Sequence, residues 1–188
     1  MWPVGPGDGY GVAQTPSDRE TDAGRLYARH RQGLYTLALS VTGRPERAED
    51  AVQEAFARVC RSPAVLAGAG DPVAYVFAAV RNAAVDQVRR PGVTGETIAD
   101  GRCLPPVSIF NGHVEGPEAA ALGAERERSV AAAVEGLPDE QKEVVVLRVY
   151  GGLTFAQIAE VTEAPLATVA TRYRRALERL KRRLEKLV

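Results

Sequence analysis

The feature that most constrains this chain is a break in its helical pattern. Between Pro91 and Gly116 the sequence reads PGVTGETIADGRCLPPVSIFNGHVEG, with several Gly, three Pro and no sustained 3.6-residue period. Residues 1–16 are a second Gly- and Pro-rich stretch and read as a flexible tail. Nearly everything else carries helical periodicity, and no segment shows a convincing strand alternation or an internal repeat. The expected fold is all-α: two small helical domains, 17–91 and 117–188, joined by a flexible linker at 92–116. Each domain has only about 70 residues, enough for independent folding around a thin core.

Punctuation residues place the helices. A first helix runs from about Asp18 to Thr42, with Gly43 as its stop. The second starts at Pro45, tolerated in a first turn, and reaches about Arg61. A small Gly-containing loop, Ser62 to Gly70, leads to a third helix with Asp71 as N-cap and Pro72 as first residue. In the C-terminal half, helices are expected from Pro117 to Glu135 and from Pro138 to Tyr150. Thr154-Phe155-Ala156-Gln157 fits a capping box and opens a short helix ending near Val161. After a three-residue turn, Pro165 starts a long last helix, which is the layout of a helix-turn-helix.

On that last helix Leu166, Val169, Tyr173, Leu177, Leu180, Leu184 and Leu187 recur at spacings of three and four and predict one buried stripe. Thr168, Thr171 and Arg175 fall opposite, with Arg172 and Arg174 on the flanks. Arginine can bond a guanine edge bidentately and threonine can contact bases or phosphate. From Thr168 to Val188 eight cations stand against two anions, although the whole chain is formally neutral. A solvated surface helix or half of a coiled coil would show the same pattern.

The third helix sorts as cleanly. Val73, Val76, Phe77, Val80, Ala84 and Val88 share one direction, whereas Tyr75, Asn82, Asp86 and Arg89 cluster opposite, with Arg81 and Arg90 to the sides. An aromatic ring, an amide and cations on one face suit single-stranded nucleic acid. The plainer alternative pairs Asp86 with Arg89 or Arg90 and lets Tyr75 cap the core. On the second helix Asp50, Gln53 and Glu54 form an acidic, amide-bearing face that could dock on a basic partner helix. A solvated, charge-laced helix is again the simpler reading.

Other chemistries find no support. Cys60 and Cys103 form no CxxC pair, His30 and His113 lack partners at ligand spacing, and neither a metal site nor a cofactor is expected. No P-loop or nucleophile-elbow triad is present, so no catalytic residue is proposed. No apolar run approaches a membrane span and the N-terminus is no secretory signal, which leaves a cytoplasmic protein as the expectation.

Taken together, RAEDAVQEAF, AYVFAAVRNAAVDQVRR and LPDEQKEVVVLRVYGGLTFAQIAEVTEAPLATVATRYRRALERL resemble the σ70 family in its shortest, group IV (extracytoplasmic-function, ECF) form. That form has only the region 2 and region 4 domains. The resemblance covers residues from about 22 to 91 and 117 to 185. It implies an initiation factor that binds core RNA polymerase and directs it to promoter DNA. Asp50 and Gln53, with Glu54 beside them, match the surface that docks on the polymerase clamp helices. Tyr75, Asn82, Asp86, Arg89 and Arg90 match the surface that opens the −10 element, the 62–71 loop helping to select it. Thr171, Arg172, Arg174 and Arg175, with Thr168 one turn earlier, match the helix that enters the −35 groove. The apolar stripe matches a surface used partly to grip the β flap. An anti-sigma factor is an open candidate as a further partner.

The chain departs from the family pattern in four places. Tyr75 stands where Trp is usual, Glu163 where the turn commonly has Gly, Ala170 where a basic residue is common, and Glu178 brings a negative charge toward the DNA side. Glu163 therefore implies a different or strained turn. Promoter elements of the family lie roughly 50–70 Å apart, so a linker that spans them must be drawn out. The rival reading is a helix-turn-helix regulator that never touches polymerase, which leaves RAEDAVQEAF without a role.

Overall fold

The computed structural model describes residues 16–89, 125 and 128–185. Its helices are α1 (Pro16–Thr42), α2 (Pro45–Arg61), α3 (Pro63–Gly68), α4 (Pro72–Arg89), α5 (128–135), α6 (Asp139–Val149), α7 (Phe155–Thr162) and α8 (Leu166–Leu184). Among the described residues there are no strands. Residues 1–15 of the expected tail and the whole linker, together with Arg90, Cys103, His113 and Leu187, lie outside the described residues, while Pro16 already belongs to α1.

The N-terminal unit is a three-helix arrangement of α1, α2 and α4. On α2 the buried residues Ala48, Ala51, Val52, Ala55 and Val59 follow the helical period and form its inner face. They meet Leu34, Leu37 and Ala38 of α1 and Val76, Phe77, Val80 and Ala84 of α4 in one cluster. Large apolar side chains buried in this way stabilise by about 1.5–3 kcal/mol each. Where a loop was expected between Ser62 and Gly70, the chain forms the six-residue α3. Pro63 occupies its first turn, and Leu66, 4% exposed, anchors it to the core. One buried leucine among Ala and Gly leaves too short a period to read as a helix in the sequence.

The C-terminal unit packs α6, α7 and α8 around Val144, Val146, Leu147, Leu153, Ile158, Val161, Val169 and Ala176, all at most 2% exposed. The stripe expected to be buried along α8 is buried only in part. Val169 and Ala176 are enclosed and Tyr173 and Leu180 are half-buried, but Leu166 and Leu177 stand 54% and 46% exposed. The reason is the small partner surface: α6 and α7 have 11 and 8 residues, whereas α8 has 19 and outruns them. Arg183 crosses back to donate from Nη1 to the Ala133 carbonyl at 3.2 Å, tying the end of α8 to α5.

The two units also pack on each other. Helix α1 touches α6 and α4 touches α7, and the buried residues of both units belong to one continuous cluster.

Candidate functional site

The loop into α4 is built by Asp71. Its Oδ1 accepts from the backbone N–H groups of Val73 and Ala74 at 2.9 and 3.0 Å, the cap that the sequence predicts. The Ala74 hydrogen bond holds the Asp71 carboxyl below its usual range, helped by bonds from Gln157 and Val73 and opposed by partial burial. Downstream of this cap α4 presents Asn82, Asp86 and Arg89, all exposed. Tyr75 belongs to the same face but is half-buried and packs against the core, so only part of its ring is available to a stacked base.

On α2, Asp50 and Gln53 are exposed, as a docking face requires. Glu54 is drawn into internal contacts instead. It pairs with Arg58 one turn on at 2.6 Å, and its Oε2 accepts from Gln87 Nε2 of α4 at 3.3 Å. Of the three residues expected on this face, Asp50 and Gln53 are therefore the exposed pair, with Glu54 fastening α2 to α4.

The helix-turn-helix forms as its signals predict. Thr154 Oγ1 accepts from the Gln157 N–H, and Gln157 Oε1 accepts from the Thr154 N–H, completing the capping box of α7. Glu163 ends α7 with φ 52° and ψ 35°, a left-handed residue where glycine would be unstrained. The turn expected to be strained is so, at a cost of about 1–2 kcal/mol.

Between the start of α6 and the first turns of α8 lies a groove of about 410 Å³ lined by Glu140, Gln141, Ala167, Thr168, Thr171, Arg172 and Arg175. Four of the five residues expected at the −35 element thus share one concavity, while Arg174 is exposed beside it. The Thr171 hydroxyl donates back to the Ala167 carbonyl at 2.8 Å, leaving its lone pairs as acceptors toward the groove. Arg172 is paired with Glu140 at 2.8 Å, a partner the sequence did not suggest. Arg175 has the same chemistry without a carboxylate partner among the described ion pairs, so it is the freer of the two.

Three residues read as incidental, or passed over, acquire positions where the units meet. His30 packs edge-on against Phe77 at 5.7 Å and hydrogen-bonds the backbone of Gly151. Burial lowers its pKa from the ordinary value, Arg29 adds to that, and the Gly151 bond opposes both. Arg81 of α4 pairs with Glu143 of α6. Gly33, in the middle of α1, is buried beneath Tyr150 and Gly151. A glycine inside a helix is the signal that could have found it, although Gly24 of the same helix carries that signal with no neighbour within 4 Å.

Among the described residues no group of His, Cys, Asp and Glu could hold a metal ion, and no helix is long and apolar enough to cross a membrane.

Comparison with known proteins places both halves. The family described as Sigma-70 region 2 matches residues 26–92, and Sigma-70, region 4 matches residues 127–180. The ECF RNA polymerase sigma factor SigK of Mycobacterium sp. (strain KMS) is 32% identical over 174 residues, covering 88% of this chain and 84% of the relative. The ECF RNA polymerase sigma-E factor of Haemophilus influenzae is 29% identical over 160 residues, covering 83% and 82%. Among solved structures, the sigma factor RpoE of Bartonella quintana, crystallised with the anti-sigma factor NepR, has a similar fold. Its TM-score is 0.64 at 19% identity, covering 90% of this chain and 98% of that one. CnrH in complex with the cytosolic domain of CnrY gives 0.58 at 22% identity, covering 91% and 95%.

Proposed function

The chain belongs to the ECF RNA polymerase sigma factors, and from that premise we propose how its surfaces divide the work of promoter-specific initiation. Asp50 and Gln53 of α2 dock on the clamp helices of core polymerase. Asn82, Asp86 and Arg89, with the available edge of Tyr75 and with Arg90, hold unpaired bases of the −10 element. Thr168, Thr171, Arg172, Arg174 and Arg175 read the −35 duplex. Exposed Leu166 and Leu177 on α8 offer the apolar contact for the β flap.

The observation that supports this reading is one chain bearing two exposed faces of different chemistry. One is a convex amide-and-cation face on α4, suited to single strands. The other is a threonine- and arginine-lined groove on a capped helix-turn-helix, suited to a duplex. Strand opening then follows from stronger binding to the open form and needs no chemical step by this chain. The factor is not an enzyme and acts where polymerase is, in the cytoplasm. A partner of the anti-sigma kind, such as the one crystallised with the similar RpoE of Bartonella quintana, is a candidate regulator.

Run-off transcription tests the reading: core polymerase and fragmented genomic DNA of the source organism, with and without the protein. New transcripts sharing a two-part upstream motif are expected, and Asn82→Ala should abolish them while leaving the helical content intact. Duplex binding without core binding or transcripts would favour the helix-turn-helix regulator instead.

A further inference from the structure

We propose that Glu140 sets −35 discrimination from outside the recognition helix, as a positioning residue that holds Arg172 in one pose. The proposal rests on the division of surfaces given above, in which α8 reads the −35 duplex.

The groove on α8 is not made by the helix-turn-helix alone. Two of its lining residues, Glu140 and Gln141, come from the first turn of α6 rather than from α7 or α8. Glu140 Oε2 lies 2.8 Å from Nη2 of Arg172. The two side chains are unequally covered, that of Arg172 being 24% exposed and that of Glu140 70%. The guanidinium is therefore part of the groove wall, and the carboxylate stands at the rim beside it. The pair engages one nitrogen, so the guanidinium fork keeps N–H donors for a base edge.

Both partners are firmly mounted. The Pro138 carbonyl accepts from the N–H groups of Gln141 and Lys142 at 2.8 and 2.9 Å, directly after the buried Leu137. Lys142, its side chain only 13% exposed, pairs with Glu135 at 3.3 Å and with Asp139 at 3.7 Å, which ties the first turn of α6 to the end of α5. On α8, Val169 and Ala176 are buried on either side of Arg172, and Tyr173 packs edge-on against Phe155 at 5.3 Å. The helix dipole favours an acid in the first turn of α6, and Asp139 already supplies one. The dipole gives no reason for a second carboxylate to reach across to α8.

A restrained arginine and an unrestrained one contribute differently to duplex binding. A free guanidinium finds phosphate on any duplex, so it strengthens cognate and non-cognate binding alike. Arg172 reaches phosphate only by leaving Glu140, while its remaining donors stay ordered for one base pair. Order that exists before binding lowers the cost of the correct contact. The tie to Glu140 penalises the sequence-blind contact, and a difference of that kind between right and wrong partners is what specificity consists of. Arg175, exposed and without a carboxylate partner among the described ion pairs, supplies the general attraction beside it.

The test uses holoenzyme, core polymerase with the full chain, and two fluorescent promoter fragments that differ only at −35. One carries the −35 motif shared by the run-off transcripts, and the other carries the same bases shuffled. Binding is titrated at several salt concentrations for wild type, Glu140→Gln, Arg172→Gln and the double variant. Glu140→Gln should lower the ratio of cognate to shuffled affinity about tenfold, the discrimination that one well-placed arginine carries. It should also steepen the salt slope on the shuffled fragment by about 1, the mark of one added phosphate contact. Its thermal midpoint should stay close to that of wild type, because an exposed ion pair adds little stability. Glu140→Asp, which keeps the charge on a shorter arm, should retain part of the ratio. In the Arg172→Gln background, adding Glu140→Gln should change neither ratio nor slope. Equal effects of Glu140→Gln with and without Arg172 would overturn the proposal, as would an unchanged ratio in Glu140→Gln. A wild type that binds both fragments equally would overturn the −35 assignment together with it, whereas a wild type that discriminates leaves that assignment standing whatever Glu140 does.

Discussion

The carboxylate of Asp71 serves two helices of different units at once. Its Oδ1 caps α4 at Val73 and Ala74, and its Oδ2 accepts from Nε2 of Gln157, whose Oε1 caps α7 at Thr154. The start of α4 and the start of the helix-turn-helix therefore share one chain of hydrogen bonds.

Asp71→Ala should destabilise the protein by about 1 kcal/mol, the usual cost of a lost N-cap. Asp71→Asn keeps an oxygen for the cap but sets one amide against another at Gln157, so its loss should be smaller. Because the folded-state pKa of Asp71 is lowered, its contribution is fully present above the ordinary value near 3.8. It is lost as pH falls through the lowered folded value. Urea denaturation of wild type and both variants, at neutral pH and below about pH 4, checks the order and the sign.

His30 should make the contact between the units sensitive to mild acid. Its pKa is lowered in the packed state, so the neutral ring is favoured there. The stabilisation is complete above the ordinary value of 6.5 and declines as pH falls below it toward the lowered folded value. Thermal unfolding followed between about pH 7.5 and pH 5 should show this decline in wild type and a flatter profile in His30→Gln. Equal slopes for the two proteins would remove His30 as the cause.

Glu163→Gly should stabilise the chain. The residue ends α7 at φ 52°, a conformation that costs a non-glycine residue about 1–2 kcal/mol. Some of that is returned by the greater freedom of glycine in the unfolded state, so a net gain of about 1 kcal/mol is expected by chemical denaturation. A loss would mean that the Glu163 side chain makes a compensating contact.

The two arginines of the α8 groove should behave differently. Arg175→Ala removes an exposed group, and if that group reads a base it should cost about 1–3 kcal/mol on the cognate −35 duplex with relaxed discrimination at one position. Arg172 is held by Glu140 at 2.8 Å, so Glu140→Gln should free it for phosphate and steepen the salt dependence of binding. Titrating a −35 duplex at several salt concentrations separates the two effects. An unchanged salt slope in Glu140→Gln would show that the pair does not restrain Arg172.

Much of this was legible in the sequence because it is written in local signals. The Asp71-Pro72 start, the Thr154–Gln157 box and the strain at Glu163 each depend on a few neighbouring residues, and all three appear as read. The faces of α4 and α8 followed from the helical period, but the extent of burial did not. Tyr75 turned out half-buried, while Leu166 and Leu177 stayed open. Burial depends on how far the partner helices extend, and a wheel drawn on one helix carries no such information. The pairs Arg172–Glu140 and Arg81–Glu143, and the internal use of Glu54, are tertiary facts for the same reason. The seat of Tyr150 and Gly151 over Gly33 is another such fact, since Gly24 of the same helix meets nothing within 4 Å.

The order of synthesis gives that seat a further consequence. All of its walls, from Gly33 to Arg81, belong to helices complete by Arg89, whereas the turn at Tyr150–Leu153 comes about sixty residues later. At roughly 5–20 residues per second the ribosome takes about 3–12 s to supply it. During that interval the emerging N-terminal unit stands with an uncovered hollow beside the exposed face of α4. A newborn chain and a finished one thus show polymerase two different surfaces, and the difference is one of age.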